Sequence, residues 1–140
     1  AVQPHPKARA MLEFLFQEGY DVVIATNAVF PVEAIVERMR WGGIQGLPYK
    51  LITCYETMHF CKPNLKYYEE TLEIIRCKPE ECLMVGNNMD EDIIAGVLGL
   101  KTYLVEDFLL DSGANRHTPD LRSNFDEFVK FVLSNGIQTL

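Results

Sequence analysis

One unit constrains the fold more than any other feature of this chain, and it occurs twice: a β-branched apolar run, a few polar residues, then an amphipathic helix. Val22-Val23-Ile24-Ala25 leads into Thr26-Asn27, and Pro31 then opens a helix that gathers Val32, Ile35, Val36 and Met39 on one face. Cys82-Leu83-Met84-Val85 leads in the same way into the loop from Gly86 to Asp92, followed by Ile93, Ile94, Val97 and Leu98. Strands that alternate with helices imply a parallel sheet covered on both faces. In such a sheet ligands sit outside the carboxyl ends of the strands, so polar residues gathered at two strand ends point to a site.

The rest of the chain keeps the alternation. The spacing of Ala8, Met11, Leu12, Leu15 and Phe16 predicts a helix over 6–18, stopped by Gly19 in the left-handed conformation. Strands are expected near 22–26, 50–54, 82–86 and 101–105, with helices near 31–40, 64–76 and 90–98. Trp41-Gly42-Gly43 closes the second helix. A last helix near 124–134 carries Phe125, Phe128, Val129, Val132 and Leu133, with Ser123 as its cap and Gly136 as its stop. The expectation is one α/β domain over residues 1–140, a Rossmann-like parallel sheet with helices on both faces.

Charge narrows the function classes. Thirteen basic against 20 acidic residues give a net charge of −7. With no basic cluster and no interleaved aromatic patch, neither nucleic acid nor an anionic membrane is an expected partner. Neither a signal peptide nor an apolar run of about 18 residues is present, which makes the cytoplasm the expected compartment. Cys54, Cys61, Cys77 and Cys82 read as reduced thiols packed as small hydrophobes. A zinc site using Cys54, His59 and Cys61 lacks a CxxC knuckle. His5, His59 and His117 stand in unlike contexts and receive no role.

Three segments carry chemistry: Thr26-Asn27 at one strand end, Lys62-Pro63 before a helix, and Gly86-Asn87-Asn88-Met89-Asp90-Glu91-Asp92 at another strand end. A hydroxyl, a lysine and a carboxylate so placed suit a phosphate. In order and spacing they resemble the haloacid dehalogenase superfamily of phosphohydrolases. VVIATN (22–27) resembles its second motif, CKP (61–63) its third, and MVGNNMDED (84–92), followed by a helix and Leu100-Lys101-Thr102, its fourth. Together they span roughly residues 4 to 110.

The family's first motif, DxDx(T/V), supplies an aspartate nucleophile and an acid/base aspartate. No such segment precedes Thr26; Asp90-Glu91-Asp92 has the DxD form but lies in the fourth motif, where Asn88 and Glu91 suit a helix-start capping box. The opening Ala1-Val2-Gln3-Pro4-His5-Pro6 resembles the return from the family's cap insertion. The expectation is therefore the carboxyl-terminal part of a longer protein. In the resembled fold the first-motif strand lies between the strands at 22–26 and 82–86. Without it, each buried orphan backbone group costs about 1–3 kcal/mol. Those two strands should then not pair with each other, and the remainder of the same protein, or a second chain, should supply the strand between them.

Each candidate has a plain alternative. Thr26 can donate to a phosphoryl oxygen beside the Asn27 amide, or simply cap a strand-ending turn. Pro63 biases Lys62 toward extended backbone, and Asn64 caps the helix carrying Leu65, Tyr68, Leu72 and Ile75, which anchors the ammonium at a helix entrance. The resemblance implies that Lys62 pairs with the nucleophile's carboxylate and the phosphoryl group; the alternative is a solvated lysine. The resemblance also implies Mg²⁺, with Asp92 as its carboxylate and Asn87 and Asn88 offering neutral oxygens where the family usually has an acid. Glu91 competes with Asp92 in helical register. Alternatively, Asp90, Glu91 and Asp92 only favour a helix's amino end, at about 0.3–1 kcal/mol each.

The reading that follows is the core of a haloacid-dehalogenase-like hydrolase, a Mg²⁺-dependent phosphatase of a small phosphorylated metabolite. Thr26, Lys62 and the Asn87–Asp92 loop should converge on one cleft. A receiver-type phosphoacceptor would place its acidic pair before its Thr and Lys, the reverse of the order here. A catalytically inactive binding or scaffold domain of the same fold remains open, favoured by the absent nucleophile and the Asn87/Asn88 pair.

Overall fold

Helix α1, Ala8–Gln17, buries Met11, Leu12 and Leu15 and ends where Gly19 takes a φ of 84°. It opens the first of two compact units, Ala1–His59 and Phe60–Leu140, in a computed structural model that describes residues 4–114 and 117–140. Strand β1, Val23–Ile24, helix α2, Val32–Trp41, and strand β2, Leu51–Ile52, complete this unit. The strands run parallel, Val23 opposite Leu51 and Ile24 opposite Ile52. Lys50 N–H to Val22 O and Thr53 N–H to Ile24 O add one bond at each end of the ladder, so the extended runs exceed the paired residues.

Two contacts fix α2. Glu56 accepts the Val32 amide with both carboxylate oxygens, at 3.1 and 3.2 Å, placing an anion at the positive amino end of the helix. At the other end Gly43 turns the chain with a φ of 76°, and Arg9 of α1 donates to Gly43 O and Gln45 O at 3.0 Å each. Ile35, Met39 and Cys54 form one buried cluster, with Ile24, Ile44 and Ile52 packed against it.

In the second unit α3, Leu65–Ile75, starts at Asn64, whose side-chain oxygen accepts the Lys66 amide at 2.9 Å. A 3₁₀ turn at Pro79–Glu81 leads to β3, Leu83–Gly86; then come a 3₁₀ segment, Ile93–Leu98, β4, Lys101–Val105, β5, Leu121–Ser123, and α4, Phe125–Leu133. The sheet has the order β3-β4-β5 and is parallel throughout, Met84 opposite Thr102 and Leu104 opposite Arg122. Met89, Ile93 and Leu104 are buried together. The Tyr103 ring meets the edge of Phe128 at 4.7 Å between centroids. The chain is thus α/β, with parallel strands and intervening helices, as expected. Among the described residues no helix is long and apolar enough to cross a membrane.

Four local expectations are corrected. The segment expected as a helix over 90–98 is 3₁₀ from Ile93 to Leu98; it is short, holds Gly96 and three β-branched residues, all poor helix formers, and is ended by Gly99 at a φ of 102°. Strand β5 was not expected, because Leu-Arg-Ser lacks a β-branched run and is extended by pairing with β4. The cap of α4 is Asn124, not Ser123: its side-chain oxygen accepts the Glu127 amide at 2.9 Å, while Ser123 is the last residue of β5. The left-handed residue after α4 is Asn135, φ 61°, one position before Gly136.

Candidate functional site

The loop that leaves β3 is built around one carboxylate. Asp92 is 4% exposed, and its Oδ1 accepts the Lys62 ammonium at 2.6 Å. Its Oδ2 accepts the Asn88 amide at 3.1 Å. Two buried opposite charges are stable only with close geometry and further hydrogen bonds, and this pair has both. Gly86 makes the arrangement possible, since a β-carbon at that position would lie 2.0 Å from Asp92 Oδ2. The carboxylate therefore occupies the space a side chain would fill.

Lys62 reaches Asp92 from the entrance of α3, two residues before the Asn64 cap, across a cis Lys62–Pro63 peptide bond. Its ammonium also lies 5.8 Å from the centroid of the fully buried Tyr67 ring. The Tyr68 hydroxyl donates to the carbonyl of Glu91, immediately before Asp92. Burial, and next the negative charge of Asp92, push the Tyr68 phenol well above its ordinary range, so it remains a donor.

The three consecutive acids now separate. Asp90 accepts Ser112 N–H at 3.0 Å and Ser112 Oγ–H at 2.9 Å, which latches the loop to the segment after β4. Glu91 contributes its carbonyl to Tyr68, and Asp92 carries the charge facing Lys62. Asn88 Oδ1 accepts the amides of Asp90 at 3.0 Å and Glu91 at 2.9 Å, the side-chain half of the expected cap. Asn87 donates from Nδ2 to Phe108 O at 3.0 Å, and the backbones of Asn87 and Met89 bond Leu110.

Thr26 and Asn27 belong to the first unit, at the end of β1. Thr26 Oγ1 donates to Thr53 O at 2.9 Å, and Thr53 Oγ1 donates to Thr26 O at 2.9 Å, a reciprocal clasp between the ends of β1 and β2. Thr53 is fully buried. Thr26 and Asn27 also line a cavity of about 280 Å³ with Ile24, Phe30, Arg38 and Ile44. The larger cavity, about 370 Å³, is bounded in the second unit by Gly96, Lys101, Thr102, His117 and Asp120 and holds none of the site candidates.

Mg²⁺ is usually held by one or two carboxylates together with substrate phosphate and water. Asp92 offers one such carboxylate, whereas Asn88 Oδ1 and both Asp90 oxygens are already engaged. Among the described residues no group of three or more His, Cys, Asp or Glu side chains comes together. Asp92 is engaged as well, Oδ1 by the Lys62 ammonium and Oδ2 by the Asn88 amide, so a cation here would have to share that carboxylate with Lys62.

Sequence reasoning brought Lys62, Asp92 and the Asn87–Asn88 loop forward, and the structure joins Lys62 to Asp92. It did not foresee the close approach at Gly86 or the Tyr68 and Ser112 anchors. A glycine directly after an apolar strand was the available signal for the first.

Parallel strands thus alternate with helices, and a buried lysine–carboxylate pair stands at the carboxyl end of one strand. The family model "haloacid dehalogenase-like hydrolase" matches residues 1–98, and the chain belongs to that family. A glyceraldehyde 3-phosphate phosphatase of Methanothermobacter thermautotrophicus is 30% identical over 112 residues, covering 79% of this chain and 48% of that protein. A HAD phosphatase from Thermococcus onnurineus superposes with a TM-score of 0.71 at 20% identity, covering 91% of this chain and 57% of the other. The HAD-hydrolase YfnB from Bacillus subtilis, in a magnesium-bound structure, gives 0.73 at 24% identity, covering 91% and 55%. The chain thus spans about half the length of these relatives.

Proposed function

We propose that this chain is the part of a Mg²⁺-dependent phosphatase that supplies Lys62 to the phosphoryl group and Asp92 to the metal. The substrate is a small phosphorylated metabolite. The observation that carries the reading is the buried Lys62–Asp92 pair, 2.6 Å apart, at the carboxyl end of β3. Phosphoryl transfer needs a fixed cation near oxygens that gain charge, in a place screened from water. Lys62, 7% exposed at its side chain, is such a cation, oriented by Asp92 and by the Tyr67 ring. When bound, Mg²⁺ supplies positive charge to the phosphoryl oxygens. The attacking aspartate and the acid/base aspartate come from outside this sequence, from the remainder of the protein or a second chain.

The test is phosphate release by the complete protein from a panel of small phosphate monoesters, beginning with a triose phosphate because of the relative's name. Lys62→Ala should lower kcat by about 10²–10³-fold, the range for losing one oxyanion donor. Asp92→Asn should raise the Mg²⁺ concentration needed for half-maximal rate. An Asp92→Asn protein with unchanged Mg²⁺ dependence would remove the metal role from Asp92. A second reading, a binding domain without turnover, is favoured by the engagement of Asn88 Oδ1 in the loop. Phosphate-ester binding with no release in any metal would select it.

A further inference from the structure

Helix α3 touches both members of the site pair. Lys62 lies just ahead of its Asn64 cap, and the first turn ends with two buried tyrosines of different duty. Tyr67 presents its ring to the Lys62 ammonium. Tyr68 turns toward the β3 loop and donates to Glu91 O. The two rings meet edge to face, with centroids 4.9 Å apart at 87°, so each packs against the other. One short stretch of helix thereby fixes the lysine from one side and the residue before the carboxylate from the other.

The geometry points to Tyr68 as a positioning residue: its hydroxyl, through the Glu91 carbonyl, sets where the Asp92 carboxylate stands relative to Lys62. This role rests on the phosphatase reading for its catalytic meaning but not for its geometry. A phenylalanine would fill the same space. The hydroxyl is what the loop uses, and a buried hydroxyl needs a partner, so tyrosine and carbonyl hold each other. Within the loop Asn88 Oδ1 also accepts the Glu91 amide, whereas the other anchors from beyond the loop act elsewhere: Ser112 holds Asp90, and Leu110 bonds Asn87 and Met89. Tyr68 anchors the backbone directly before Asp92. The Asn88 amide, which donates to Asp92 Oδ2, and the Asp92 amide, which donates to Asn88 O at 2.9 Å, report that position.

Native-state amide hydrogen exchange on Tyr68→Phe tests this without activity. The Asn88 and Asp92 amides should lose at least about tenfold in protection, while Tyr103 and Leu104 in β4 change less than about twofold, the pattern of a local opening. Thr71→Val serves as control: it removes another buried hydroxyl of α3, one bonded within the helix to Tyr67 O at 2.8 Å, and should leave the loop amides unchanged. In the complete enzyme Tyr68→Phe should lower kcat about tenfold with KM within twofold, as for an interaction felt mainly in the transition state. A uniform loss of protection through β4, no change at Asn88 and Asp92, or a variant that does not fold would overturn the proposal. Absence of turnover in the unaltered protein would refute the phosphatase reading and leave the exchange result standing.

Discussion

The ends of β1 and β3 begin from similar sequence and are secured by different physics. Both are apolar runs that stop at small polar residues. At β1 the closure is neutral: two threonine hydroxyls exchange bonds with each other's carbonyls. At β3 the closure is ionic: a buried ammonium meets a buried carboxylate, and a glycine gives up its side-chain volume to admit it. A neutral bond contributes about 1 kcal/mol net, and leaving one buried partner unsatisfied costs about 1–3 kcal/mol. An ion pair out of water contributes little net, yet removal of one partner strands the other. The neutral end is tolerant; the charged end holds only when complete, and that is the end the proposed phosphatase would use.

Four measurements can break or sharpen this contrast. The largest effect belongs to Lys62→Met, which leaves Asp92 buried without its counter-ion and should cost about 3–5 kcal/mol in urea unfolding. A loss below about 1 kcal/mol would mean that water reaches Asp92 and that the β3 end is no more demanding than the β1 end. Gly86→Ala comes next, because the new methyl meets the Asp92 carboxylate rather than a flexible chain tip; about 1–3 kcal/mol should be lost in the same urea unfolding. At the neutral end, Thr53→Val keeps the shape and removes the donor to Thr26 O, for about 0.5–1.5 kcal/mol. If Thr53→Val cost as much as Lys62→Met, the contrast would collapse.

The smallest effect is a pH dependence at the exposed Glu56. Hydrogen bonds from its own amide first, and from Val32 after the opposing effect of desolvation, hold its carboxyl below the ordinary 4.5. A depressed folded value means that this contribution to stability is present above about pH 4.5 and fades as pH falls through the folded value. The unfolding midpoint of Glu56→Gln should therefore fall less between pH 5 and pH 3 than that of the unaltered chain. Equal slopes would show that the carboxylate at the head of α2 gives nothing.

Most of the fold was legible because its signals are local. Gly19, Gly43 and Asn64 end or start their helices for reasons contained within a few residues, and each does so in the structure. Strand β5 was not legible, since Leu121–Ser123 is extended only because β4 offers it a parallel partner. The site divided in the same way. Residue types and strand ends singled out Lys62 and Asp92, whereas the order among Asp90, Glu91 and Asp92 was hidden because helical spacing does not describe a loop held by Asn88 and Ser112. Tyr68 read as part of an apolar face, and its hydroxyl's partner lies 23 residues further along, beyond any local pattern.

The missing side chain at position 86 couples two positions that look independent on paper. A saturation library at 86 alone should return glycine almost exclusively, since even the smallest addition overlaps the Asp92 carboxylate. Pairing that library with ones at 92 and 62 should release alanine and serine at 86 in clones where Asp92 has become glycine or serine and Lys62 has become apolar, so that no charge is left buried alone. Tolerance at 86 therefore reads out, in a screen for folding alone, whether the Asp92 carboxylate is still in place.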